Sequence, residues 1–294
     1  YLLGIGHFDH LATFWIPCIF LYLELAIQRR RARWGAMAGL HYAFTGLGSW
    51  NYAYMLAMGV AVYLLVRAWP WGQFVCDRRL WTAAAAFVLV AVAILGPLAV
   101  LVQQHSAGEL RFSLAEADAF SGDILAFLAG NPAHPLAAPG DLRQHTVAPL
   151  GWVAAALSVL ALWRRRSRVA LGLAALLVVS IVFTWGLTVH WDGGRVYLPA
   201  PDVVERAFGK MMSLLTERAA LFPDRYWGLH QPGAVFIPLP AYLMFLNIPF
   251  FSALREWAKF ILLAGLASAV LAATALATVR GQARPVVMVA VAAL

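Results

Sequence analysis

Apolar runs of about twenty residues, the length that crosses a hydrocarbon core roughly 30 Å thick, recur through most of this chain and alternate with clusters of arginine. The pattern predicts spans over about 11–27, 34–47, 52–66, 81–102, 150–163, 169–189 and 260–279, with the start of an eighth after Arg284. The second and third form a helical hairpin turning at Gly48, Ser49, Trp50 and Asn51. The expected fold is therefore an all-α integral membrane protein, a polytopic helix bundle of about seven to eight spans. It occupies 1–294 as one transmembrane domain, and both ends, Tyr1 and Leu294, read as cut from something longer.

Two long polar stretches interrupt the spans, about 103–149 and 191–256. Within the second, Asp202 can cap a helix and Glu205 can complete a capping box, with Val204, Ala207, Phe208, Met211 and Leu215 at helical spacing. This predicts an amphipathic helix ending near Pro223 that lies on the membrane surface or roofs a cavity. The apolar piece Val235 to Phe251 is broken by Pro238, Pro240 and Pro249, so it reads as a re-entrant or interfacial segment rather than a span.

Composition agrees with a lipid-covered surface: 62% of residues are hydrophobic, 12% are charged, and the mean hydropathy is +0.74. The net charge of +8 is not a nucleic-acid footprint, because the cations sit in short clusters between spans. Arg29, Arg30, Arg31, Arg33, Arg67, Arg78, Arg79, Arg164, Arg165, Arg166, Arg168, Arg280 and Arg284 fall in four short loops that hold one acidic residue, Asp77. By the positive-inside rule those loops are cytoplasmic and the long stretches extracytoplasmic. Trp34, Trp50, Trp69, Trp71, Trp81, Trp152, Trp163 and Trp191 fall near span ends, as headgroup-level anchors do. Cys18 and Cys76 cannot build a disulfide framework.

The candidate chemistry lies on the outer side. His7, Asp9 and His10 could offer two imidazoles and a carboxylate to a metal or substrate, with Asp9 as the best base in this chain; an ordinary polar helix end is the bland reading. Glu109, Glu116, Asp118, Asp123 and Asp141 could hold a divalent ion, although solvated loop charge is the default for such a stretch. Arg195, Arg225, Arg255 and Lys259 line the outer ends of the last spans, where guanidinium groups meet headgroups or a lipid phosphate. Glu24, near the cytoplasmic end of the first span, is expected to snorkel or to pair with Arg29 or Arg30. No GxxxxGK[ST], GxSxG or HExxH is present.

Four stretches carry a family resemblance: GHFDHLATFWIP from Gly6, GLGSWNYAYML from Gly46, SGDILAFLAGNPAHPL from Ser121 and NIPFFSALREWAKFILLAGLA from Asn247. In these the chain resembles bacterial polytopic proteins of the GT-C glycosyltransferase type, especially the large YfhO-like membrane proteins. The resemblance implies a multi-pass protein of the bacterial cytoplasmic (inner) membrane. Its activity would be inverting transfer of a sugar from a polyprenyl-phosphate donor, on the outer face, to an envelope glycan, lipid or protein acceptor. A divalent cation, Mg or Mn, assists in some members. The resemblance also implies that the usual catalytic acid lies in a first outer loop, ahead of the matched region. By position, Arg255 and Lys259 match a basic pair suited to clamping phosphate, and Asp123 and His134 match polar positions that line the cavity. Asp9 departs from the neutral residue expected in its stretch. The rival readings are a lipid-glycan flippase or transporter and a non-catalytic envelope-assembly protein. Spans nearly free of mid-membrane charge favour outer-face chemistry over a conduction path.

Overall fold

Helices form where the apolar runs are continuous and stop where glycine, proline or arginine interrupts them, giving a mostly helical chain. The computed structural model describes residues 8–105, 112–124, 151–164, 166–217, 229, 231–248, 251–252 and 254–278. Contacts divide the chain into two compact units, Tyr1–Leu110 and Arg111–Leu294.

The first unit opens on a 3-10 turn, Phe8–Trp15, that runs into α1 (Ile16–Arg29), whose first turn accommodates Pro17 because a proline there forfeits no helical hydrogen bond. α2 (Ala32–Gly48) and α3 (Trp50–Arg67) meet at the extended residue Ser49, so the expected helical hairpin is present. A short turn of helix, α4 (Gly72–Val75), leads into α5 (Arg78–His105). α2 is the hub of this unit. A Cβ on Gly35 would stand 2.0 Å from the Ala83 carbonyl oxygen, and one on Gly39 would stand 2.4 Å from that of Phe87. Two glycines one helical turn apart thus let α2 and α5 touch backbone to backbone, the close approach that small residues permit between packed helices. The carboxylate of α1 is paired. Glu24 accepts from Tyr63 (2.8 Å), from Arg67 Nε (3.0 Å) and from Arg67 Nη2 (2.8 Å). The expected partners Arg29 and Arg30 are displaced from this role, because α3 brings Arg67 alongside α1, and Arg30 pairs instead with Asp77 at 3.1 Å.

In the second unit, α6 (Leu114–Ala119) is followed by α7 (Trp152–Arg164) and α8 (Arg168–Thr184). α11 (Ile261–Thr278), preceded by a 3-10 turn at Trp257–Phe260, packs on both α7 and α8. Its buried face, Leu263, Ala264, Ala267, Ser268, Leu271 and Ala275, is mostly small, and Ser158 of α7 donates to the Ser268 carbonyl at 3.3 Å. Arg164, Arg166 and Arg168 gather at the α7–α8 connection, while the other end of α8 carries the polar structure. That structure comprises the hairpin β1 (His190–Trp191) and β2 (Gly194–Arg195), then β3 (Tyr197–Pro199) paired with β4 (Ala234–Phe236). It also holds two helices, α9 (Asp202–Glu217) and α10 (Pro240–Asn247). α9 confirms the amphipathic helix expected from Asp202 onward, and Glu205 accepts from the Gly233 N–H at 2.9 Å. The proline-broken piece resolves into β4 and α10, with Tyr242, Phe245 and Leu246 buried.

Among the described residues two helical segments are long and apolar enough to cross a membrane, Arg78–Leu101 and Trp257–Thr278. Two shorter apolar helices, α7 and α8, accompany them. Only 11% of the first segment is buried. Val88, Leu89, Val92, Val100 and Leu101 stand exposed along it, the opposite of a soluble protein's core helix.

A buried acidic pocket as the candidate functional site

The site is built on α6. Ser113 and Glu116 close a capping box at its start: the Glu116 N–H donates to Ser113 Oγ (3.2 Å) and the Ser113 N–H donates to Glu116 Oε2 (3.0 Å). With the first turn so fixed, Leu114, Ala117 and Asp118 face inward, and Asp118 is fully buried. A carboxylate in that position requires partners. Thr188 Oγ1 donates to Oδ1 at 2.7 Å, Arg195 Nε donates to Oδ2 at 2.7 Å, and Arg195 Nη2 donates to the same oxygen. His190 Nε2 lies 3.4 Å from Oδ2, while its Nδ1 lies 2.9 Å from the Thr188 carbonyl oxygen. Arg195 Nη1 continues to the Tyr197 hydroxyl (2.6 Å), which donates to the Leu229 carbonyl (3.0 Å).

Backbone geometry brings these distant residues together. Thr188, His190 and Arg195 come from the segment after α8, where Gly186 adopts φ +76° and a Cβ would lie 2.0 Å from Ser121 Oγ, so only glycine lets the chain turn there. Asp192 and Gly193, both at positive φ, close the β1–β2 hairpin in the manner of a two-residue turn. The Gly193 N–H in that turn donates to Asp123 Oδ2 at 2.7 Å, and the Leu187 N–H donates to Ser121 Oγ at 3.0 Å. Two side chains in this way hold the loop after α6, one to the hairpin turn and one to Leu187 ahead of it. Between them lies a pocket of about 390 Å³ lined by Asp118, Ser121, Asp123, His190, Arg195 and Tyr197, among others.

Electrostatics assigns different tasks to the two carboxylates. Burial pushes the Asp118 carboxyl up, but the hydrogen bond and charge of His190, the charge of Arg195 and the Thr188 hydroxyl outweigh it and hold the group below its usual value of 3.8. Burial pushes the Arg195 guanidinium down, and the Asp118 charge with the Tyr197 hydrogen bond more than restores it. Asp118 is therefore an anchoring anion that orients Arg195 and His190 and does not serve as a proton acceptor near neutral pH. Asp123 places its carboxylate in the same pocket with one oxygen against the Gly193 N–H.

Arg255 and Lys259 form a second polar group. The Arg255 guanidinium lies over Phe112 (5.1 Å) and Phe120 (4.8 Å), and its Nη2 donates to Glu256 at 3.2 Å. Lys259 pairs with the other oxygen of Glu256. Burial raises the Glu256 carboxyl, and the Lys259 and then Arg255 contacts pull it below its ordinary value. The pair expected to face phosphate thus shares an acidic counter-ion that sits between the two cations in sequence.

Of the residues singled out from sequence, Arg195 and Asp123 line one pocket, and Arg255 stands with Lys259 at Glu256. Asp9 and His10 fall in the opening 3-10 turn with side chains outside the described residues; His7, His134 and Arg225 lie outside them altogether. Among the described residues no group of three or more His, Cys, Asp or Glu side chains is placed to hold a metal ion. Asp118, expected as solvated loop charge, is instead the buried centre of the network, because α6 turns it inward. A signal for this was present in the helical spacing of Leu114, Ala117, Asp118 and Ser121. Tyr197 had no comparable signal. No family model, curated protein or solved structure matches this chain.

Proposed function

We propose that the chain is a membrane glycosyltransferase of GT-C type, which moves a sugar from a polyprenyl-phosphate donor to an envelope glycan, lipid or protein acceptor on the extracytoplasmic face of a bacterial cytoplasmic membrane. The observation that carries this reading is the polar pocket at the end of α8 opposite Arg164, Arg166 and Arg168. By the positive-inside rule, that arginine end is cytoplasmic and the pocket extracytoplasmic. Further support comes from the weakly buried apolar segment Arg78–Leu101 and from Trp152, Trp163 and Trp191, exposed near the ends of the second unit's apolar helices. The polytopic bundle of seven to eight spans belongs to this proposal.

A pocket with a fixed anion–cation pair, an imidazole and a phenol suits a hydroxyl-rich group, whose donors and acceptors need convergent partners of both kinds. In this scheme Asp123 accepts from sugar hydroxyls, the Arg195 guanidinium donates to oxygens near the reacting centre while His190 helps hold Asp118, and Arg255 with Lys259 meets the departing lipid phosphate. A divalent cation, where one takes part, would supply further charge to that phosphate.

The test gives purified full-length protein a radiolabelled polyprenyl-phosphate hexose and a crude envelope acceptor. Transfer of label that falls at least tenfold in Asp123→Asn supports the reading. No transfer under conditions where a related enzyme is active sinks it, and a transport assay in vesicles then decides for or against the flippase alternative.

A further inference from the structure

At the basic end of the first unit, α1, α2, α3, α4 and α5 surround a cavity of about 480 Å³. Its lining is almost wholly apolar and includes Leu23, Ile27, Leu64, Trp71, Phe74 and Trp81. The volume falls within the roughly 300–1,000 Å³ usual for ligand pockets. Neither indole N–H asks anything of an occupant: Trp71 donates to the Leu65 carbonyl and Trp81 to the Val75 carbonyl, both at 2.8 Å. The two rings present hydrocarbon at the depth where tryptophans border headgroups.

The corner between α4 and α5 has two chemistries. Phe74 and Val75 on one side, and Leu80 and Trp81 on the other, line the apolar cavity. The four residues between them, Cys76, Asp77, Arg78 and Arg79, join Arg30 in lining an adjacent polar depression. The Asp77 carboxylate is occupied by Arg30 (3.1 Å) and by the Arg79 backbone N–H (2.9 Å). The Arg78 and Arg79 residues are exposed, and among the described residues neither guanidinium has a carboxylate partner. A hydrocarbon slot opening beside two uncommitted guanidinium groups matches a molecule with an apolar chain and an anionic head.

We infer that this site binds one anionic phospholipid, with a hydrocarbon chain in the cavity and the headgroup phosphate at Arg78 and Arg79. The occupant belongs to the leaflet on the arginine-rich side, where anionic lipids meet basic loops. A zwitterionic lipid offers the same chain without the net charge, so the two arginines confer selectivity and the cavity confers retention. The inference rests on the membrane reading of the chain and not on sugar transfer.

The full chain is purified, reconstituted in nanodiscs of equal phosphatidylglycerol and phosphatidylcholine, released into mild detergent and examined by native mass spectrometry. Wild type is expected to retain one phosphatidylglycerol per protein. R78Q/R79Q is expected to lower that retention at least tenfold. Ala84→Trp, which fills the cavity from an exposed wall position, is expected to abolish retention without moving the melting temperature. Val88→Trp serves the same purpose should the first variant fold poorly. Equal retention of the two lipids, or unchanged phosphatidylglycerol in R78Q/R79Q, overturns the inference. Recovery of the chain in the soluble fraction after carbonate washing overturns the membrane reading with it, whereas selective lipid retention without sugar transfer sinks only the enzymatic proposal.

Discussion

Asp118→Asn isolates the network at the centre of the pocket. The substitution preserves shape and an acceptor for Thr188, but removes the charge that faces Arg195 and His190. Asp118 is fully buried and the Arg195 side chain is 21% exposed, so the stranded guanidinium recovers only part of its hydration. Breaking a buried pair at one partner costs about 3–5 kcal/mol, and the partial exposure of Arg195 places the expectation near the lower end, about 3 kcal/mol. For a unit of this size that corresponds to a fall of roughly 6–12 °C in melting temperature. Intrinsic tryptophan fluorescence on heating in detergent at pH 7 measures it. The companion Arg195→Gln and the double variant complete a cycle: the double loss is expected to be smaller than the sum of the single ones, because the second change removes the charge that the first stranded. The pH dependence has a definite sign. The Asp118 carboxyl lies below its unfolded value of about 3.9, so the native state binds fewer protons. Its contribution is complete above that unfolded value and disappears as pH falls through the folded one. Wild type should lose this stability only in acid, and Asp118→Asn should lack that part of the acid limb. A melting temperature within about 1 °C of wild type, or strictly additive single losses, would refute the assignment of Asp118 as anchor of the pocket.

Gly39→Leu forces a side chain against the Phe87 carbonyl and should destabilise the first unit by about 1–3 kcal/mol or more, whereas Gly265→Ala, with nothing within 4 Å of the added carbon, should be neutral or slightly stabilising; denaturant titration of both variants separates them. Glu24→Gln leaves Arg67 facing an uncharged amide among buried neighbours and should cost about 3 kcal/mol, with Glu24→Gln/Arg67→Met recovering most of it in the same titration. Glu256→Gln releases Arg255 and Lys259 from their shared counter-ion and should tighten binding of a polyprenyl-phosphate probe several-fold, while Arg255→Ala weakens it. Unchanged affinity in both would remove this pair from the phosphate role.

Some of this protein can be read along the chain because its cause is local. An apolar run long enough for α5 or for Trp257–Thr278 makes a helix wherever it occurs, since the alternative leaves backbone groups unpaired in lipid. Pro238, between β4 and α10, and Pro240, at the first position of α10, separate strand from helix by the same local logic, and the spacing after Asp202 yields an amphipathic helix whatever lies beneath it. Arg195 was recognisable as a cation at the outer end of a predicted span, and Asp123 as an acid in the first long polar stretch. What they do there was not, because it depends on residues far away in sequence. Asp118 meets Thr188 and Arg195 across 70 and 77 positions, Asp123 meets Gly193 across 70, and Glu24 finds Arg67 across 43. Gly35 and Gly39 look like unremarkable helix residues until α5 lies against them. A carboxylate's charge state is set by how much water is removed and which cations replace it, and both quantities belong to the packed tertiary structure. Hydropathy and charge order therefore determine which segments are helical, whereas packing alone decides which polar residues become a site.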